Sequence, residues 1–130
     1  MSYFNDFMLA KRYADTQIKN NGCFEGDEGI DKEIRPYIRR INSNPNVYTI
    51  ESCYGHGSTP VLFIVFRNST VAARYLPRLV RVGMNVEKDT SDDKVWSIRL
   101  PGDWKTVWKN QYSSELLQRF WRTITNILTS

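Results

Sequence analysis

The feature that most constrains the fold is an unbroken run of six apolar residues, Val61-Leu62-Phe63-Ile64-Val65-Phe66. A helix that spans a membrane needs ~20 such residues, so this run is far too short to cross a bilayer. Its length and its β-branched and aromatic content predict a buried strand over residues 61–67. A buried strand needs neighbouring strands beside it and further elements packed over it.

Four helices are predicted by apolar residues that recur at helical spacing, over residues 4–20, 31–43, 71–82 and 113–128. The clearest stripe belongs to the second helix and consists of Ile30, Ile34, Tyr37, Ile38 and Ile41. Asp31, Ser69 or Thr70, and Ser113 are the predicted N-caps of the last three helices. Gly83 is predicted to end the third helix, which Pro77 is expected to kink.

Further strands are predicted over residues 47–52, 84–88 and 94–100, with a short one near 105–108. The resulting order is ααββαββα, without the strict alternation of strand and helix that parallel sheets require. We therefore predict one α+β domain over residues 1–130, with a small, mainly antiparallel sheet and helices packed on it.

The composition excludes several classes of protein. Hydrophobic residues make up 41% of the chain and aromatic residues 13%, which is incompatible with a disordered protein. Asp6, Lys11, Arg12 and Asp15 interrupt the start of the chain, so no secretory signal is predicted and we expect a cytoplasmic protein. The chain has two cysteines and one histidine. A structural zinc site usually needs four such ligands, so no metal site is predicted.

The charge is distributed unevenly along the chain. The net charge is +4, but residues 1–33 contribute −3 and residues 34–130 contribute +7. Arg67, Arg74, Arg78 and Arg81 lie in a stretch with no acid between Glu51 and Glu87. This pattern indicates either a solvated basic face or a partner that carries phosphate groups.

The segment Ser52-Cys53-Tyr54-Gly55-His56-Gly57 has the most chemically informative residues, because it follows a predicted strand. Gly55 and Gly57 can point successive backbone N–H groups at one anion. His56 can act as a general acid or base, and Cys53 is a candidate nucleophile beside it. An ordinary glycine-rich hairpin loop remains the alternative.

A small nucleotide-type ligand beside the loop of residues 52–58 is therefore our first hypothesis. We predict that the protein either sequesters this ligand or cleaves a phosphodiester in it, with His56 and Cys53 as catalytic candidates. Tyr54 or a tryptophan is expected to stack on a base. The predicted ligand-binding residues are Ser52, Tyr54, Gly55, Gly57 and Ser58 of the loop, with Arg35, Arg39, Arg67 and Arg99 neutralising phosphate groups.

The stretch of residues 29–67 resembles the tRNA wybutosine-synthesis methyltransferase family. Asp31, Ile34, Ile41, Asn42, Tyr48, Thr49, Ser52, Cys53 and Gly55 match its pattern of a capped helix, a Tyr-Thr strand and a Ser-Ser-Cys-Ser-Gly-Arg loop. Tyr54 and His56 stand where the family has serine and arginine. The resemblance implies the family's fold, the cofactor S-adenosylmethionine and tRNA as the substrate.

Two alternatives to the first hypothesis follow. One is an S-adenosylmethionine-dependent RNA methyltransferase, with RNA as the partner. The other is a non-catalytic module that binds another protein. A homodimer is compatible with all three hypotheses, since small pockets often form between subunits.

Overall fold

The helices and strands follow one another in the predicted order, and the predicted α+β class is confirmed. The structure is a computed structural model that describes residues 6–24, 29–55, 59–90, 94–101 and 113–130. Its elements are α1 (Phe7–Lys19), a 3-10 turn (Lys32–Ile34) leading into α2 (Arg35–Asn42), β1 (Val47–Cys53), β2 (Val61–Phe66), α3 (Ser69–Arg81), β3 (Asn85–Lys88), β4 (Val95–Arg99) and α4 (Ser114–Leu128). The strand expected near residues 105–108 lies outside the described residues.

The apolar run forms β2, which has a neighbouring strand on each side. The strand order is β1-β2-β4-β3, and every neighbouring pair is antiparallel. The register places Val61 between Cys53 of β1 and Arg99 of β4. A β-bulge interrupts β1 between Thr49 and Glu51. β2 is buried on both faces, with only Phe63 half-buried, as the sequence predicts.

Three helices cover one face of the sheet. α2 packs on β1, α3 packs on β2 and β3, and α4 lies against both of these helices. Leu62, Ile64 and Ile98 are fully buried beneath them. α1 packs on β1 and α2, and the Phe7 and Tyr48 ring centroids lie 5.3 Å apart. In the described part of the chain, no helix has both the length and the hydropathy to cross a membrane.

The observed helix ends agree only in part with those predicted from the sequence. Ser113 caps α4 by accepting a hydrogen bond from the Leu116 N–H, and Gly83 follows α3 with φ 94°, as predicted. The cap of α3 is neither Ser69 nor Thr70 but Asn68, whose side chain accepts from the Val71 N–H. The Asn68 side chain reaches the N–H of the third residue of the helix, so α3 begins at Ser69, earlier than predicted.

Asp31 is the N-cap residue of the 3-10 turn and not, as predicted, of the α-helix itself, because the N-cap of α2 is Ile34. Asp31 makes no side-chain cap bond. Its Oδ2 instead accepts a hydrogen bond from the Tyr54 N–H, at 2.8 Å. A carboxylate can satisfy only a donor that reaches it, and the backbone after β1 approaches more closely than the turn's own N–H groups. Asp31 therefore connects the start of α2 to the segment that follows β1.

Candidate functional site

Tyr54 anchors the chain where β1 ends. Its O–H accepts a hydrogen bond from Gln118 Nε2 at 3.2 Å, and its backbone carbonyl accepts one from Trp121 Nε1 at 3.4 Å. Gln118 Oε1 in turn accepts from the Tyr37 O–H at 3.0 Å. Tyr54 is only 7% exposed. Its ring is therefore part of the core beneath α4, and it has little free surface on which a base could stack.

The other described residues of the predicted loop surround this anchor. Gly55 has φ 116°, a conformation that side chains disfavour, so glycine is suited to this position. Ser52 Oγ is buried and has no hydrogen-bond partner among the residues described. Cys53 is half-buried. His56, Gly57 and Ser58 lie outside the described residues, and so does the predicted pairing of Cys53 with His56.

Two of the four predicted arginines belong to the same end of the molecule as this loop. Arg99 of β4 pairs with Val61, which pairs with Cys53 on its other side, and the Arg99 guanidinium lies 5.6 Å from the centroid of the Phe63 ring. Arg35 follows the turn that contains Asp31, and its Nε donates to the Ile30 carbonyl at 3.0 Å. Both are half-buried.

Arg39 and Arg67 lie elsewhere. Arg39 bonds the Asn21 side chain and faces α1, beside a cavity of about 400 Å³ that Asp15 also lines. Arg67 follows β2, at the opposite end of the sheet from Tyr54. The structure therefore does not bring the nine predicted ligand-binding residues into one site.

A cavity of about 570 Å³ lies at the Arg67 end of the sheet, between the sheet and α3. Three cations line it, Arg67, Lys88 and Lys94, together with the rings of Tyr48, Phe66 and Trp96; we call this set the cationic groove. Its apolar wall is completed by Phe7 of α1, Val65 of β2, and Ala72, Ala73 and Leu76 of α3, and Asn68 and Ser69 add polar groups. No carboxylate belongs to its described lining.

The cations of the groove are held apart. Arg67 Nη1 donates to Asn46 Oδ1 at 3.4 Å, on the β1 side of the sheet. Lys88 Nζ lies 5.5 Å from the centroid of the Trp96 ring, on the β4 side. Glu87 and Asp89 flank Lys88 in the sequence, and the Asp89 backbone N–H bonds the Val95 carbonyl. Within the described ranges, neither Arg67 nor Lys88 forms an ion pair.

The sequence predicts only part of the groove. Arg67 is a predicted ligand-binding residue, but Lys88 and Lys94 were not predicted, because they are far from Arg67 along the chain. The antiparallel register brings them together, since Lys88 lies beside Trp96 and Val95 beside Val65. The sequence signal that points to them is a basic residue at the end of a predicted strand.

A second basic surface covers the helical face of the molecule. α2, α3 and α4 carry eight of the chain's eleven arginines and a single acid, Glu115. We call these eight the arginine layer: Arg35, Arg39, Arg40, Arg74, Arg78, Arg81, Arg119 and Arg122. All are exposed except Arg35 and Arg78, which are half-buried. The acid-free stretch in the sequence accounts for only the α3 members.

Comparison with known proteins adds information about the fold. No family model matches the chain, and no curated protein matches it. Among solved structures, it is similar to one described as the PH1069 protein from Pyrococcus horikoshii. That match has a TM-score of 0.53 and 14% sequence identity, and it covers 97% of this chain and 88% of that one. At this identity the similarity concerns the fold alone.

Proposed function

We propose that this protein binds a small nucleotide-type ligand, and that the cationic groove is the place where it binds. The observation that supports this proposal is the groove's lining, which combines three cations with four aromatic rings and contains no carboxylate among its described residues. Cations neutralise phosphate groups, and an aromatic face stacks on a base. A cavity of about 570 Å³ is within the usual size range of small-molecule sites.

Holding the ligand fits the groove better than cleaving it. The described lining offers cations and rings, but no imidazole, thiol or carboxylate that would move a proton near neutral pH. Cleavage of a phosphodiester would draw on the predicted catalytic residues His56 and Cys53, and Cys53 belongs to the far end of the sheet. Recovery of the ligand by chromatography after denaturation separates the two outcomes, because a holding protein returns it unchanged.

A thermal-shift screen at low salt with mono- and dinucleotides tests the proposal. A ligand at ~100 times its dissociation constant should add ~2.7 kcal/mol to the free energy of unfolding. Arg67→Gln should abolish most of this shift, whereas Arg12→Gln, which changes an exposed arginine of α1, should preserve it. A shift that survives Arg67→Gln but is lost in His56→Ala or Arg99→Ala would relocate the ligand to the predicted loop. No shift with any nucleotide would favour the protein-binding alternative.

The groove does not fit S-adenosylmethionine, the cofactor that the family resemblance implies. That molecule carries a sulfonium and an ammonium against one carboxylate, so its net charge is positive. A site lined by three cations and, in its described part, no acid repels such a ligand. Titration with S-adenosylmethionine, followed by calorimetry, checks this conclusion independently of the nucleotide screen.

RNA binding is a second candidate function, and the arginine layer favours it. Eight arginines on three adjacent helices form a surface that phosphate groups of a nucleic-acid backbone can bridge. Affinity for tRNA should fall steeply as salt rises, because each neutralised phosphate releases counterions. The double variant Arg81→Gln, Arg122→Gln should flatten that salt dependence by roughly one to two units of log–log slope. Arg12→Gln is the control, and an equal effect of the control would exclude the layer as the binding surface.

A further inference from the structure

The positions of the groove's cations bear on how many phosphate groups its ligand carries. Arg67 follows β2, Lys94 precedes β4, and Lys88 ends β3, so the three are carried by three consecutive strands of the sheet. Neighbouring strands are ~4.8 Å apart, so the backbone positions of the outer two differ by ~10 Å across the sheet. Side chains this long could still converge on one phosphate if nothing held them apart.

The observed contacts hold the outer two charges apart. The Arg67 guanidinium is directed towards Asn46, which precedes β1, and therefore away from β4 and β3. The Lys88 ammonium lies over the Trp96 ring of β4. Apolar side chains of Phe66 and Leu76 belong to the same lining. The groove thus has two separate positions for negative charge, with aromatic and aliphatic surface in the same cavity.

From this arrangement we infer that the groove takes a dinucleotide, whose phosphate groups are separated by a ribose, in preference to a nucleoside mono- or diphosphate. A mononucleotide has one phosphate and can satisfy only one of the two positions. The phosphates of a nucleoside diphosphate are joined through a single oxygen and cannot reach both positions at once. This inference rests on the proposed function, because it specifies the ligand of the same groove.

Calorimetric titration at low salt with three probes tests the inference: 5′-phosphorylated adenylyl-adenosine, ADP and AMP. The dinucleotide should bind roughly tenfold or more tightly than ADP, since it alone engages both positions. Arg67→Gln and Lys88→Gln should each weaken dinucleotide binding by roughly three- to tenfold. Their effects should multiply in the double variant, because separated contacts act independently. Lys32→Gln, at an exposed lysine of the 3-10 turn, is the control and should have no effect.

Tighter binding of the dinucleotide, with multiplicative effects of the two substitutions, supports the inference. Equal affinity for ADP and the dinucleotide, or a double variant no weaker than either single variant, overturns the inference and leaves the proposed function intact. Failure of all three probes to bind overturns the proposed function and this inference together.

Discussion

Lys11 is a buried cation whose charge works against folding. It is 7% exposed, and its Nζ donates hydrogen bonds to the Asn42 carbonyl, at the end of α2, and to Asp15. Burial lowers the pKa of Lys11 from its ordinary value of 10.5, and the bond and charge of Asp15 only partly oppose that shift. The side chain closes the contact between α1 and α2, but it does so in an environment that disfavours its charged form.

The pH dependence of stability should reveal this penalty. Because the pKa of Lys11 is lower in the folded state, the unfolded chain holds more protons between that lowered value and 10.5. The free energy of unfolding of the wild type, minus that of Lys11→Met, should therefore rise with pH across this window. Urea unfolding at about pH 7 and about pH 10 measures it. Lys19→Met, at an exposed lysine of the same helix, is the matched control for removing a lysine charge from α1.

Tyr54 shows what the sequence could not tell about single residues. Its place after a strand and before a glycine made it a candidate ring for stacking, yet the structure places it beneath α4. The partners responsible, Gln118 and Trp121, lie more than sixty residues along the chain. Local pattern contains no information about such contacts. By contrast, Ser113 was predicted correctly because a cap depends only on its own next three residues.

The Tyr54–Gln118 hydrogen bond should be measurable as a coupling. Tyr54→Phe is expected to lower the free energy of unfolding by about 1 kcal/mol, because Gln118 Nε2 loses its acceptor in a partly buried site. Gln118→Leu removes the other partner, and the double variant completes a mutant cycle. Urea unfolding of the four proteins should give a non-additive total. Strict additivity would mean that the Tyr54–Gln118 bond contributes nothing to the free energy of unfolding.

At the level of elements, two prolines occupy helices with different consequences. Pro77 lies inside α3, which continues through it, and its missing N–H leaves the Ala73 carbonyl without the usual helical bond. Pro36 is the second residue of α2, where no intrahelical bond is lost. Apolar residues at helical spacing predicted the helices themselves. They did not predict which residue caps each helix, because a cap depends on which donors its side chain can reach.

Replacing each proline should therefore give opposite results. Pro77→Ala is expected to stabilise the protein by about 1–2 kcal/mol, since the regained helical bond outweighs the greater freedom of the unfolded chain. Pro36→Ala should destabilise it by about 0.5–1 kcal/mol, because only the unfolded chain changes. Chemical unfolding of both variants against the wild type provides the comparison. Changes of the same sign in the free energy of unfolding of the two variants would contradict this account of α3.

At the level of the whole molecule, charge is distributed by layer. The arginine layer concentrates positive charge on the helices, and the cationic groove adds three more cations at one end of the sheet. The sequence predicted the fold class because hydrophobic spacing is a local property. It could not predict these two surfaces, because each is assembled by packing and register from residues far apart in the chain.

Repulsion within the arginine layer should make the protein more stable as salt increases. The screening length falls to ~8 Å at ~0.15 M salt, which weakens like-charge repulsion between neighbouring helices. We expect the melting temperature to rise by a few degrees between ~0.01 and ~0.15 M NaCl, and to rise less in Arg81→Gln, Arg122→Gln. Calorimetry measures both. A melting temperature that falls with added salt would show that attractive pairs dominate instead.

The bulge in β1 determines which side chains of that strand face the helices. Before it, Thr49 lies opposite Ile64; after it, Glu51 lies opposite Phe63 and Ser52 opposite Leu62. If the pairing of Thr49 with Ile64 continued without the bulge, Ile50 would lie opposite Phe63 and Glu51 opposite Leu62, which would place the Glu51 carboxylate inside the core. The extra residue, Ile50, therefore sets the register of the second half of β1. Regular pairing of a strand of this length would exchange inside for outside along that entire half.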